Sequence, residues 1–434
     1  MKHRTTAVVL ILFMLATPCL LQKPAKAAED NVALGGSLVW EKTFGGTADD
    51  RAFYATATDA GVLVVGSTRS MIAEQTVAWI LRLDGEGNLL WNKTYPAGVG
   101  SELRYVINLS DGFLLVGNMF PSGVDPVGYV VKIDGQGNTK WNITLGSGKI
   151  SRIFGAVQAN DGFVFAGLTQ TSNNAPADVW LTKISNNGTI VWNKTIATPN
   201  DDAARSIATL DGDTFFVAGY TDTLGDENFD FLILKIDANG NLLEKQTYGG
   251  SESDKAYAIT TADDGLVIVG DTRSEGAGDS DALIIKINQD LQKQWSRTFG
   301  GNGFDSPTCI KALADGSGFV VCGTTFSFGN GLRDFWVFTI DNSGNQLASC
   351  TVGRNVYEES YVAVEVSKDN FVVAGWVSQT DKGLPYDFYV VKVQLENNVV
   401  WWQTSTGVAA VLVVVTVLVV GLLLYKLRFS QKRK

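Results

Sequence analysis

Histidine occurs once in the 434 residues, at His3, and cysteine four times, at Cys19, Cys309, Cys322 and Cys350. After its first few residues the chain therefore offers no imidazole. That excludes a His-based catalytic triad, a histidine general base and a zinc site built on histidine. Proline is scarce at 9 residues against 46 glycines, so the turns are glycine turns and a proline-rich linker protein is excluded. Positive charge is scarce in the middle of the chain. The formal net charge is −10, yet residues 1–27 hold four cations and residues 407–434 five, with no acid in either, which leaves −19 for the part between. A body this acidic repels phosphate backbones, so no nucleic-acid partner is expected.

Charge is absent altogether from residues 407–425, a 19-residue apolar run. Such a run is long enough to span a bilayer, and the basic residues 426–434 after it place that end inside by the positive-inside rule. At the other end, basic residues 2–4, an apolar stretch over 7–21 and Ala25-Lys-Ala27 have the pattern of a signal peptide ending at residue 27. The expected layout is a signal peptide over 1–27, an ectodomain over 28–396, a juxtamembrane linker over 397–406, a transmembrane helix over 407–425 and a cytoplasmic tail over 426–434. That is a single-pass type I protein of the cell membrane with its body outside the cell. Five Asn-x-Ser/Thr sequons, at Asn92, Asn108, Asn142, Asn187 and Asn193, are glycosylation candidates in keeping with an exterior body.

What the chain has in abundance is one unit, repeated. A glycine closing a short β-branched run recurs at Gly66, Gly117, Gly167, Gly219, Gly270, Gly323 and Gly375, with spacings between 50 and 53 residues. A period near 50 made of short strands points to propeller blades or a β-solenoid. Each unit reads as four strands. In the first they cover 51–58, 62–68, 78–83 and 89–95, with the first pair joined at Ala60-Gly61 and the corresponding pairs of other units at turns such as Asp111-Gly112 and Asp264-Gly265. The last unit lacks a fourth strand, while residues 37–44 ahead of the first unit carry the fourth-strand pattern. Pairing the two would close a ring and remove both exposed sheet edges, which favours a closed seven-bladed propeller over an open solenoid.

The turn Asp-x-x-Gly-x-x-x-Trp, as at 84–91, resembles the tryptophan-docking repeat of pyrroloquinoline-quinone-type propellers with one residue fewer. With its Phe/Tyr-Gly-Gly, Asp-x-Ala-Tyr and Gly-x-Thr elements, the unit is similar to a repeat of bacterial and archaeal secreted or surface propellers. The resemblance covers residues 37–393 and implies the fold more than an activity. The adjacent cysteine pair of quinone-dependent dehydrogenases and an eighth blade are both missing, so that cofactor is not expected, nor any other except calcium. The docking tryptophans Trp40, Trp91, Trp141, Trp192 and Trp295 are expected to cover the grooves between blades.

Candidate chemistry is thin. Acids open the innermost strand in five units, at Asp50, Asp202, Asp254, Asp305 and Glu358, on loops expected to ring one face of the central channel. Such a ring would hold a hard cation such as calcium, whereas their repetition favours hydrogen bonds within each loop. A second set, Asp178, Asp230, Asp281, Asp334 and Asp387, opens the third strand. Cys309 and Cys322 flank a turn at opposed positions, where a cross-strand disulfide would fit an extracellular body. Units two and three depart most from the repeat, which makes Arg104, Tyr105, Lys149 and Arg152 the side chains a ligand would select. The expected function is binding or scaffolding of a surface protein or glycan; the alternative is a polysaccharide hydrolase or lyase working at the channel mouth.

Overall fold

In the computed structural model, residues 35–396 are described apart from 73–74, 96–99, 124, 147, 224 and 226. The expected signal peptide, linker, membrane helix and tail lie outside these residues. Among the described residues no helix is long and apolar enough to cross a membrane. What the residues form is seven four-stranded antiparallel sheets. Their innermost strands are Asp50–Thr58, Ser101–Leu109, Ile150–Ala159, Asp202–Thr209, Asp254–Ala262, Asp305–Ala312 and Glu358–Ser367, one for each blade from 1 to 7. Each packs beside the next, and the seventh packs beside the first.

Closure follows the expected pairing. The strand Gly36–Phe44 joins Gly383–Leu395 as the outermost strand of blade 7, with Leu38 opposite Val393 and Phe44 opposite Phe388. No sheet in the ring is left one strand short. The second and third strands of each blade are buried on both faces, as in Gly61–Thr68 and Val77–Asp84. Their near-continuous Val, Ile and Leu runs fill the spaces between neighbouring sheets. Leu63, Val65, Ala78 and Ile80 of blade 1, for instance, pack with Leu103, Val106, Phe113 and Leu115 of blade 2. The outermost strands alternate and face solvent, as the pattern of Leu89–Tyr95 shows.

The tryptophans dock forward onto the following blade. Trp40 donates its indole N–H to the carbonyl of Gly85 at 3.2 Å, Trp192 to Ala238 at 3.0 Å and Trp295 to Asn342 at 3.3 Å. Their rings lie against the turn glycines Gly87, Gly240 and Gly344, which take positive φ of 79 to 80° there. A Cβ on any of the three would come within about 3 Å of an indole carbon. The rings are half-buried, so they seal the outer edge of five of the seven grooves, Glu244 and Ala348 standing at the same position in the other two blades, and leave the core to the aliphatic residues.

Candidate functional site

The innermost strands do not run as plain alternating ladders. In all seven, the register with the second strand slips by one residue at the same place: between Ala52 and Tyr54, Leu103 and Tyr105, Ile153 and Gly155, Ala204 and Ser206, Ala256 and Ala258, Pro307 and Cys309, and Ser360 and Val362. A β-bulge leaves one residue unpaired and re-aims its side chain. The seven bulged residues are Phe53, Arg104, Phe154, Arg205, Tyr257, Thr308 and Tyr361. All seven line one central cavity of about 700 Å³.

This bulge explains the repeat glycine. At Gly66, Gly117, Gly167, Gly219, Gly270, Gly323 and Gly375 a Cβ would lie 1.8 to 2.3 Å from a carbonyl oxygen of the innermost strand. In each blade that carbonyl belongs to the residue two positions before the bulge. Only glycine lets the second strand approach so closely.

The cavity wall alternates aromatic faces with guanidinium groups. Arg104 lies over the ring of Phe53 at 3.8 Å, and Arg205 lies 4.5 Å from the ring centre of Phe154 and 5.8 Å from that of Tyr257. Phe53 meets Tyr361 edge to face at 5.4 Å. Deeper, the rings of Tyr54 and Tyr105 stand 4.1 Å apart and the Lys311 ammonium lies 4.4 Å from the Tyr54 ring. Burial pushes both tyrosine hydroxyls well above their ordinary range, so they stay protonated. Cys309 completes this wall. It is the direct cross-strand partner of Cys322, both are buried free thiols, and the hydrogen bond with Cys322 draws the Cys309 thiol down. Cross-strand partners have the Cα separation a disulfide spans.

Of the four expected ligand residues, Arg104 and Tyr105 line the cavity. Arg152 is exposed and lies 5.8 Å from the Phe120 ring, and Lys149 is exposed on a loop, so neither lines it. The five sequon asparagines are all exposed. Asn92, Asn142 and Asn193 each follow the docking tryptophan on an outermost strand, while Asn108 donates to the Ala57 carbonyl at 2.9 Å.

The recurring acids sit elsewhere. Asp50, Asp202, Asp254, Asp305 and Glu358 are buried at the start of the innermost strands and serve their own loops. Asp50 accepts from the Gly46 N–H at 2.9 Å and the Ser70 hydroxyl at 2.7 Å; Asp254 repeats this with Gly250 and Ser274, both at 2.8 Å. Among the described residues no three His, Cys, Asp or Glu side chains are grouped to hold a metal ion. The second acid set faces the first across the blade boundary. Burial, reinforced by the neighbouring carboxylate, raises Asp387 beside Asp50, Asp230 beside Asp254 and Asp281 beside Asp305. The glycines Gly45, Gly249 and Gly300 of the Phe/Tyr-Gly-Gly element fit between these pairs: a Cβ there would come within 1.9 to 2.1 Å of an aspartate oxygen.

Glu358 is the extreme case. Burial, with the charge of Asp334 adding to it, pushes its carboxyl up to about 8 from 4.5. One oxygen accepts from the Arg354 N–H at 2.9 Å, and the other is buried without a partner among the described residues. Because its folded value exceeds its unfolded one, the folded chain takes up a proton between pH 4.5 and about 8, and stability falls as pH rises through that window. Residues 35–396 contain no histidine to obscure this. Raising the pH from 5 to 7 is expected to cost on the order of 2 kcal/mol, at about 1.4 kcal/mol per unit. Thermal unfolding of Glu358→Gln should show a much flatter profile. The remainder is assigned to the other carboxyls that burial raises, among them Asp271 to about 6 and Asp230, Asp281 and Asp387 above their ordinary range. An equally steep profile in the variant would refute the assignment.

The fold and site define a seven-bladed β-propeller with an aromatic- and arginine-lined central cavity. Neither a protein-family model nor a curated protein matches the sequence. Among solved structures, the chain is similar to a periplasmic gluconolactonase of Pseudomonas aeruginosa, at 13% identity and TM-score 0.47, over 77% of this chain and 96% of that one. It is also similar to the β-propeller domain of the Trilobed protease from Pyrococcus furiosus, at 12% identity and TM-score 0.47, over 82% and 98%.

Proposed function

We propose that this is a ligand-binding propeller displayed on the outer side of a membrane, and that its central cavity receives a glycan unit for recognition rather than turnover. The observation that carries the reading is the ring of seven bulged residues. A device repeated in every blade presents side chains to one space, and those side chains are four aromatic rings, two arginines and one threonine. A cavity of about 700 Å³ has the size of a small-molecule site and is too small for a folded partner. Aromatic faces with a few polar groups suit a ring-shaped, hydroxyl-bearing ligand. A retaining or inverting glycosidase needs two carboxyl groups flanking the bond. Here Glu359 is the one carboxylate on the cavity wall among the described residues, and it is held by Arg333. Membrane display rests on the sequence patterns at residues 1–27 and 407–425.

The test is a glycan-array screen of the full chain in detergent, followed by turnover assays on each bound oligosaccharide. Binding without product is expected. Turnover that disappears in Glu359→Gln would establish the hydrolase alternative, and an absence of any glycan binding would overturn the reading as a whole.

A further inference from the structure

Two blades place an arginine at the bulge, and they differ in one respect. In blade 2 the fork of Arg104 is filled from within: its Nε and Nη2 donate to the two carboxylate oxygens of Glu102 at 2.8 and 2.9 Å. Glu102 stands two residues before the bulge. In blade 4 the same position is Ala203, two residues before Arg205. Arg205 therefore has the same bulged placement and the same aromatic stacking, and no carboxylate. Among the described residues its guanidinium makes no ion pair and no hydrogen bond; its contacts are the faces of Phe154 and Tyr257.

We infer that Arg205 receives a carboxylate carried by the ligand, so that the cavity selects acidic sugars such as uronic-acid units over neutral ones. This rests on the glycan-binding reading above. Rings at the faces of the guanidinium leave its edge as the donor, and the edge of a guanidinium matches a planar carboxylate in two parallel bonds. Blade 2 supplies the template for that match within the same molecule. The electrostatics agree. The wall carries Arg104, Arg205, Lys311 and Arg333 against the single carboxylate Glu359, and Arg104 and Arg333 are already paired. Among the described residues Lys311 has no carboxylate partner either; its ammonium reaches the Ala55 carbonyl, at 3.5 Å, and lies over the Tyr54 ring. Two uncompensated cations thus face one cavity in a body of charge −19. Within low-dielectric walls they focus a positive potential into the cavity.

Calorimetric titration of the full chain with trigalacturonate and with the neutral galactotriose decides the matter. The acidic sugar is expected to bind at least about tenfold more tightly, the scale of one charged hydrogen-bonded contact. Arg205→Gln should remove that preference, bringing the acidic sugar's affinity down to that of the neutral one. Ala203→Glu should remove it too, while the arginine stays, because the fork is then filled as it is in blade 2. Long side chains occupy that position in five other blades, and the thermal unfolding of each variant reports whether it has folded; should Ala203→Glu not fold, Arg205→Gln carries the test alone. Equal affinity for the two sugars would overturn the acid preference and leave the glycan site standing. Binding of neither would overturn both. A preference that survives in Arg205→Gln would overturn the role given to Arg205.

Discussion

Removal of residues 37–44 is expected to abolish the cooperative unfolding transition or lower its midpoint by at least about 8 °C. The strand supplies the ladder to Gly383–Leu395 and the Trp40 dock onto blade 1. It also brings Glu41, which binds both Tyr389 and Arg354. Seven paired positions at roughly 0.5–1 kcal/mol each, before any burial is counted, reach the order of 5 kcal/mol. That is a large share of the 5–15 kcal/mol that holds a typical domain together. The loss would not be confined to blade 7, because the strand also docks Trp40 onto blade 1 and packs beside Gln346–Val352 of blade 6. The exposed edge of Gly383–Leu395 should also pair between molecules, so the shortened chain is expected to associate in sedimentation. Adding the peptide of residues 36–44 in trans should restore part of the midpoint. An unchanged melting curve and a monodisperse sample would show that closure contributes little.

The ring was legible in the sequence because its signals are local and repeated: turn residues, β-branched runs and a surplus fourth strand at one end matching a deficit at the other. The cavity was not legible in the same way. Alternation along a strand assumes one residue per register step, and the bulge adds one, so the residue aimed at the channel cannot be found by counting faces. The Asp-x-Ala-Tyr element did contain the answer. Its aspartate, Asp254, turned out to brace its own loop, while its tyrosine, Tyr257, lines the cavity. Arg104 and Tyr105 were singled out because blade 2 departs from the repeat. They line the cavity because of where the bulge lies, a property shared by blades that keep the repeat. Lys149 and Arg152 depart from the repeat equally and stay on the surface, so divergence alone did not locate the site. The signal that marks it is the conjunction of the recurring glycine with the residue unpaired opposite it.

That conjunction makes Gly219→Ala the sharpest single substitution. A Cβ at Gly219 would sit 1.9 Å from the Ala203 carbonyl oxygen, 2.9 Å from its carbon and 3.0 Å from the Ala204 Cα. All three are backbone atoms, so no side chain can swing away and the strand itself must move. Overpacking of this kind costs about 3 kcal/mol, which in a domain of this size lowers Tm by roughly 5 °C. Gly85→Ala is the matched control: nothing lies within 4 Å of its Cβ, and the change is expected to stay within about 0.5 kcal/mol. The second consequence ties the fold to the site. Ala203 and Ala204 lead directly into the Arg205 bulge, so displacing them re-aims the guanidinium on the cavity wall that has no carboxylate partner among the described residues. Gly219→Ala should therefore weaken acidic-sugar binding more than neutral-sugar binding. Gly323→Ala, at the corresponding position beside the Thr308 bulge, should destabilise the fold similarly while sparing the acidic preference. Equal binding losses in the two variants would mean that the glycines maintain the ring as a whole and do not position individual side chains.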